Sequence, residues 1–333
     1  MKNLVKLIIG ISCAVLISAC SPNKNSLTGA GSSFVYPVLA VWAQDYSAKQ
    51  GIQVNYQAIG SGGGLQQMYS GTVNFAASDM PLTVTELQQH QLQQFPIIIG
   101  GIVAVINVAG IKNNQMILNG PTLADIYLGK ITFWDDAEIK HLNPTLRLPH
   151  QNIVTVHRAD GAGTTFNFTH YLADVSPTWK KEGGVNTMVS WPNGIGAKGN
   201  AGVAAQILQT PNSIGYVEYA YAAQNHMAIT RFVNAAQQTV TASATSFAAA
   251  AKNAHWSADN GFYQILTNQP GADSWPIVAT TFILMPSSLD AQLKLRLVNF
   301  FTWCYQNGAP AANSLDYVAL PESVYQGILL TFK

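Results

Sequence analysis

Four stretches of this sequence place small hydroxyl or glycine residues where an extended segment gives way to a helix. They are Gly29-Ala30-Gly31-Ser32-Ser33-Phe34, Gly60-Ser61-Gly62-Gly63-Gly64, Ser78-Asp79, and His157-Arg158-Ala159-Asp160-Gly161-Ala162-Gly163-Thr164-Thr165. The first amides of a helix lack intrahelical acceptors and carry a partial positive charge, so such junctions suit an oxyanion. In the fourth stretch Arg158 adds a charged donor fork, and Asp160 can hold it by a salt link. Gly161 and Gly163 leave backbone N–H groups open to close approach, and Thr164 adds a hydroxyl. Asp79 differs in kind, because an ionised carboxylate only accepts hydrogen bonds.

Each stretch has a plainer reading. Ser32 or Ser33 could simply cap the helix that carries Leu39, Trp42 and Tyr46. Residues 60–64 could be a flexible turn, and they are no P-loop, since no Gly-Lys-Ser/Thr follows. Asp79 could be an ordinary turn residue. The fourth stretch could be a surface turn with a solvated ion pair, although a turn does not need that density of donors.

These junctions need strands and helices to hold them. The two patterns alternate along the chain, which argues for an α/β architecture. Residues 54–59 alternate as a strand, 65–69 begin a helix, and 73–77 form a short strand ending at Ser78-Asp79. Residues 83–94 read as a polar helix with Thr83 or Thr85 as N-cap and Glu86 in its first turn. Residues 97–108 are a long apolar run, a buried strand broken by Gly100-Gly101, and 277–285 are a similar run. Two such runs flanking a middle segment suggest a discontinuous domain. Within that segment, 153–156 and 214–218 read as strands, 157–163 as a loop, and 122–128, 164–172 and 202–209 as helices. The C-terminal part is helical over 289–305 and 322–330.

At 333 residues the chain exceeds one ordinary core, so two domains are expected. Hydrophobic residues make up 48% and charged residues only 10%, a balance that folds rather than stays disordered. The net charge is +1 with no run of Lys or Arg, which excludes a nucleic-acid surface. An anion must therefore be captured by aimed donors rather than by a broad field.

The N-terminus reads as a leader. Lys2 and Lys6 precede an apolar run over 7–17, too short to span a bilayer, which ends at Ile17-Ser18-Ala19-Cys20. That ending looks like a lipobox, which implies cleavage before Cys20 and a diacylglycerol on its thiol; an ordinary secretory signal is the alternative. Residues 20–26 read as a tether. Cys13 leaves with the leader, so Cys304 remains as a packed core thiol, and no disulfide or cysteine metal site is expected.

A hydrolase acting on phosphate esters would need a nucleophile with a base, or a metal cluster. The seven histidines form no His-x-x-x-His pattern, and no Gly-x-Ser-x-Gly elbow occurs. His157 abuts the fourth stretch and is expected to be a packing residue at a strand end. An envelope structural protein is a third reading, in which four anion-binding junctions would be idle.

The sequence resembles the periplasmic phosphate-binding proteins of bacterial phosphate ABC importers. The resemblance runs in order from Leu27 nearly to the end. It rests on Leu27-Thr28-Gly29-Ala30-Gly31, Gly60-Ser61-Gly62-Gly63-Gly64, Ala77-Ser78-Asp79, Phe95-Pro96-Ile97-Ile98-Ile99-Gly100-Gly101, Asp125-Ile126-Tyr127-Leu128-Gly129-Lys130-Ile131, Trp134-Asp135-Asp136, Arg158-Ala159-Asp160-Gly161, Gly163-Thr164, Gly215-Tyr216-Val217-Glu218-Tyr219 and Trp275-Pro276-Ile277.

The resemblance implies a two-domain periplasmic-binding-protein fold of type II, with mixed sheets flanked by helices, a two-strand hinge and a cleft between the domains. Domain I would comprise 27–106 and 276–333, and domain II 107–275. It implies a monomeric, non-enzymatic protein outside the cytoplasm, held to a membrane only by its lipid. Such a protein takes no cofactor and delivers inorganic phosphate to membrane permease subunits. The implied ligands are Ser33, Phe34 through its N–H, Ser61, Asp79, Arg158, Ala162, Gly163 and Thr164, with Asp160 orienting Arg158. Ala162 departs from the family's serine, so its amide remains but a hydroxyl donor is lost. Near neutral pH phosphate keeps a proton that Asp79 can accept, whereas sulfate has none and would meet a repelling charge. Arsenate is protonated like phosphate and escapes this discrimination.

Overall fold

The computed structural model describes residues 26–332. The expected leader, Cys20 and all of the tether except Ser26 lie outside the described residues. The strands in chain order are β1 (Ser26–Gly31), β2 (Gln53–Ala58), β3 (Phe75–Ser78), β4 (Leu92–Asn107), β5 (Ile117–Asn119), β6 (Val154–Arg158) and β7 (Ile195–Ala197). They continue with β8 (Ser213–Glu218), β9 (Ala228–Ile229), β10 (Arg231–Val233), β11 (Thr239–Val240), β12 (Leu266–Thr267) and β13 (Ile277–Pro286). The main sheet runs β2-β1-β3-β13-β4-β8-β6-β7, and β5, β10 and β11 form a small separate sheet.

The chain folds as a two-lobed α/β protein whose lobes share β4. From Leu92 to Gly101 this strand pairs antiparallel with β13, and from Ile102 to Asn107 it pairs antiparallel with β8. The first lobe therefore holds β2-β1-β3-β13-β4 and the second β4-β8-β6-β7. β1 pairs in parallel with β2 on one side and β3 on the other, and β6 pairs in parallel with β7 and β8. Parallel strands of this kind open at their carboxyl ends, where ligand clefts of α/β sheets form.

Most of β4 is buried, as a strand covered on both faces must be. Gly100 and Gly101 do not break it, contrary to the expectation from their sequence. They make room instead: a Cβ on Gly100 would lie 2.9 Å from the Phe34 ring, and one on Gly101 2.2 Å from the Phe247 ring. Two other boundaries differ. The helix expected over 83–94 ends early, at Val84–Gln89, because residues 92–94 join β4; Thr83 and Glu86 form its capping box. The stretch 61–64 is not a turn before a helix but the first turn of the helix Ser61–Tyr69.

The candidate phosphate site

Two helix starts and two strand ends of the first lobe meet the fourth stretch of the second lobe. Ser33 and Phe34 follow β1 and precede the helix Tyr36–Gln50. Neither serine caps that helix, whose N-cap is Val35 without a side-chain bond. The carbonyls of this loop are instead held by three tyrosines from three parts of the chain. Tyr56 donates to Ser32 O at 2.8 Å, Tyr221 to Ser33 O at 2.7 Å and Tyr317 to Phe34 O at 2.6 Å. With its acceptors tied back in this way, the loop is left to present donors.

Asp79 follows β3 and is 1% exposed. Its Oδ2 accepts the Ser32 hydroxyl at 2.6 Å and its Oδ1 the Thr281 hydroxyl at 2.7 Å. Burial pushes the carboxyl up to about 6, while these two hydroxyls and the charge of Arg158 pull it down. Arg158, at the end of β6, has a buried guanidinium. Its Nε and Nη2 grip Asp160 Oδ1 and Oδ2 at 2.8 and 2.5 Å, and its Nη1 reaches Thr164 Oγ1 at 3.2 Å. Burial alone would raise Asp160. The bonds and charge of Arg158 outweigh it, with help from the Gly199 amide at 3.0 Å, and hold the carboxyl below its usual range.

The lobes touch through these same residues. Gly163 N–H donates to Ser61 Oγ at 3.1 Å and Gly62 N–H to Gly161 O at 2.8 Å. Asn167 donates to Asp79 O at 2.6 Å, and Asn200 donates to Ser33 Oγ through its backbone N–H at 3.2 Å and its Nδ2 at 3.0 Å. Ser33, Ser61, Asp79, Arg158 and Thr164 are all buried at this junction. The structure thus brings together the residues that the sequence offered as ligands, Ser33, Phe34, Ser61, Asp79, Arg158, Ala162, Gly163 and Thr164, with Asp160 beside them.

Three of the expected amides have hydrogen-bond partners within the protein. Phe34 N–H donates to Ser32 Oγ at 2.9 Å, Gly163 N–H to Ser61 Oγ, and Ala162 N–H to Thr187 O at 2.9 Å. The first two lie beside hydroxyls that an anion could displace. The third is committed to a carbonyl, so Ala162, which has no hydroxyl to offer, also spends its N–H within the protein. His157 behaves as expected: it stacks on Trp191 at 5.0 Å, and burial lowers its pKa. Cys304 is buried in the core. Thr281, Asn167, Asn200 and Tyr221 were missed from the sequence, because nothing local marks them; only strand register and lobe contact bring them to the site.

Among known proteins, residues 18–303 match the family model of the PBP superfamily domain. The chain is 50% identical over 312 residues to the phosphate-binding protein PstS of Xylella fastidiosa (strain Temecula1 / ATCC 700964), covering 93% of this chain and 86% of that one. It is 49% identical over 310 residues to the phosphate-binding protein PstS of Haemophilus influenzae (strain ATCC 51907 / DSM 11121 / KW20 / Rd), covering 93% of each. A high-affinity periplasmic phosphate-binding protein solved with phosphate at pH 8.5 superposes with a TM-score of 0.74 at 21% identity, covering 91% of this chain and 92% of that one. A phosphate-binding protein from Stenotrophomonas maltophilia gives 0.68 at 19% identity, over 92% and 93% of the two chains. At that identity the two structures speak for the fold alone. The matched length and the 50% identity establish that this chain belongs to the PBP superfamily and, within it, to the family of the phosphate-binding proteins PstS.

Proposed function

We propose that this protein captures inorganic phosphate between its lobes and delivers it to the permease subunits of an ABC importer, without acting as an enzyme. The observation that carries the reading is a single buried acceptor, Asp79, set among the donors Ser33, Ser61, Arg158 and Thr164. Such a site suits an anion with one proton to give and several oxygens to be donated to. Arg158, fixed by Asp160, offsets the ligand charge. Phe34 and Gly163 can turn their amides from hydroxyl to anion. Ala162 contributes least, since Thr187 takes its N–H.

Closure follows from the contacts across the junction. Anion held by both lobes favours the state in which they meet, and that state is the one offered to the permease. The domains that close would be 27–106 with 276–333, and 107–275, although the pairing of β4 already passes to the second lobe at Ile102. Membership of the phosphate-binding protein family supports a periplasmic location, and the leader-like N-terminus supports export with a lipid on Cys20. Among the described residues no helix is long and apolar enough to cross a membrane. A non-enzymatic role is supported by His157, which packs on Trp191 rather than serving a nucleophile.

Titration calorimetry of residues 27–333, stripped of bound anion, tests the reading with phosphate and then sulfate at pH 7. One-to-one phosphate binding without sulfate heat is the expected result. No phosphate binding after verified stripping would overturn it, and phosphate-ester turnover would favour a hydrolase.

A further inference from the structure

Ser33 Oγ accepts two hydrogen bonds, both from Asn200 on the opposite lobe. A hydroxyl has two acceptor positions and one hydrogen, so this pair of N–H groups fills its accepting capacity. The Asn200 side chain has only one possible orientation: its oxygen must face the amide of Glu218, which donates to Oδ1 at 2.9 Å and has no way to accept. Its Nδ2 must then face Ser33. Asn200 is 0% exposed, and its backbone lies in the first turn of the helix Gly199–Gln209, whose Gly199 amide holds Asp160.

We infer that Asn200 is a positioning residue that polarises Ser33, turning its hydroxyl hydrogen to the bound anion once the lobes meet. The inference rests on the proposed phosphate reading. In the open form Ser33 would lose both donors and its hydroxyl could point either way, as acceptor or donor. Closure then sets the sign of the site on the first-lobe side, while the same helix start fixes Asp160, and through it Arg158, on the second. An acceptor presented by Ser33 would repel an anion that is itself rich in acceptors, so fixing the hydroxyl removes one unproductive arrangement.

The test is a double-mutant cycle on phosphate affinity, with thermal melting run beside it. N200A is expected to weaken phosphate binding about fivefold to tenfold in the wild-type background, the ordinary worth of one well-placed hydrogen bond. In an S33A background the same change should cost less than twofold, because the group it acts through is gone. Any fall in melting temperature should be alike in both backgrounds, since buried packing does not depend on the Ser33 hydroxyl. N200S, which is smaller and uncharged, serves in the same cycle if N200A fails to fold. Equal affinity losses in the two backgrounds, or no loss in the first, would overturn the inference while leaving the phosphate reading intact. A wild-type chain that binds no phosphate would overturn both.

Discussion

Thr281 donates its hydroxyl to Asp79 Oδ1 at 2.7 Å, although 202 residues separate them. The register of the sheet explains the meeting. β13 runs antiparallel to β3 with Phe282 opposite Ser78, so the next position on each strand pairs Thr281 with Asp79. One of two adjacent threonines in a largely apolar strand therefore steadies the carboxylate acceptor of the site. T281V should leave the fold intact, raise the Asp79 pKa further above about 6, and weaken phosphate binding at pH 7 about tenfold, the scale of a hydrogen bond to a charged group. Affinity measured from pH 6 to 8 checks it: the loss should be largest at the acid end.

Asp79→Asn keeps the shape of the site and removes its charge. Asparagine can donate to an unprotonated oxyanion, so the variant should begin to bind sulfate, with an affinity gain of at least tenfold over wild type. Competition calorimetry with the two anions reads this directly, and a variant that still ignores sulfate would locate selectivity elsewhere.

Gly60 has a φ of +88°, and a Cβ placed on it would sit 2.4 Å from Asp160 Oδ2 and 2.8 Å from Gly161 O across the junction. G60A should therefore act as a wedge. Small-angle scattering with saturating phosphate is expected to show the variant more open than wild type, with phosphate affinity lowered tenfold or more, the scale of about 1.4 kcal/mol. A normal closed form would mean that the helix Ser61–Tyr69 can shift aside.

Ala162 is buried, and its amide is held by Thr187 O. A162S adds a hydroxyl without disturbing that bond. Phosphate affinity should stay unchanged or tighten by about 1 kcal/mol. A loss of tenfold or more in the same titration would show that the loop is spaced differently here.

Glu218 is buried at the end of β8, where its Oε1 accepts from the Ala220 amide at 3.0 Å. Burial pushes its pKa up from 4.5 to about 8. The unfolded chain ionises this group at lower pH than the folded one, so folding takes up a proton between the two values. Its contribution is fully present below about pH 4.5 and is lost as pH rises through about 8. E218Q should flatten the decline in melting temperature over that window and leave the acid side unchanged. Asp160 works in the opposite sense, its depressed pKa giving stability that disappears as pH falls through that value.

The sequence made the architecture legible wherever composition was extreme. Residues 97–108 and 277–285 announced themselves as the buried strands flanking the middle segment because almost every side chain in them is apolar. The donors of the site were legible for a different reason: Ser33, Ser61, Arg158 and Thr164 lie within three residues of a glycine where a strand gives way to a helix, a local signal. Partners held across the sheet or the junction carried no such signal. Thr281 looks like any strand threonine, and Asn200 like any helix start. The glycine pair at 100–101 misled, because a missing side chain reads the same whether it frees the backbone or admits a neighbouring ring.

β4 passes from one lobe into the other without losing its ladder, paired with β13 as far as Gly101 and with β8 from Ile102 onward. Neither half of the molecule can therefore unravel alone without stripping an edge from the other. The protein should melt in one cooperative transition, with calorimetric and van't Hoff enthalpies in agreement, even though it is built to bend in the middle.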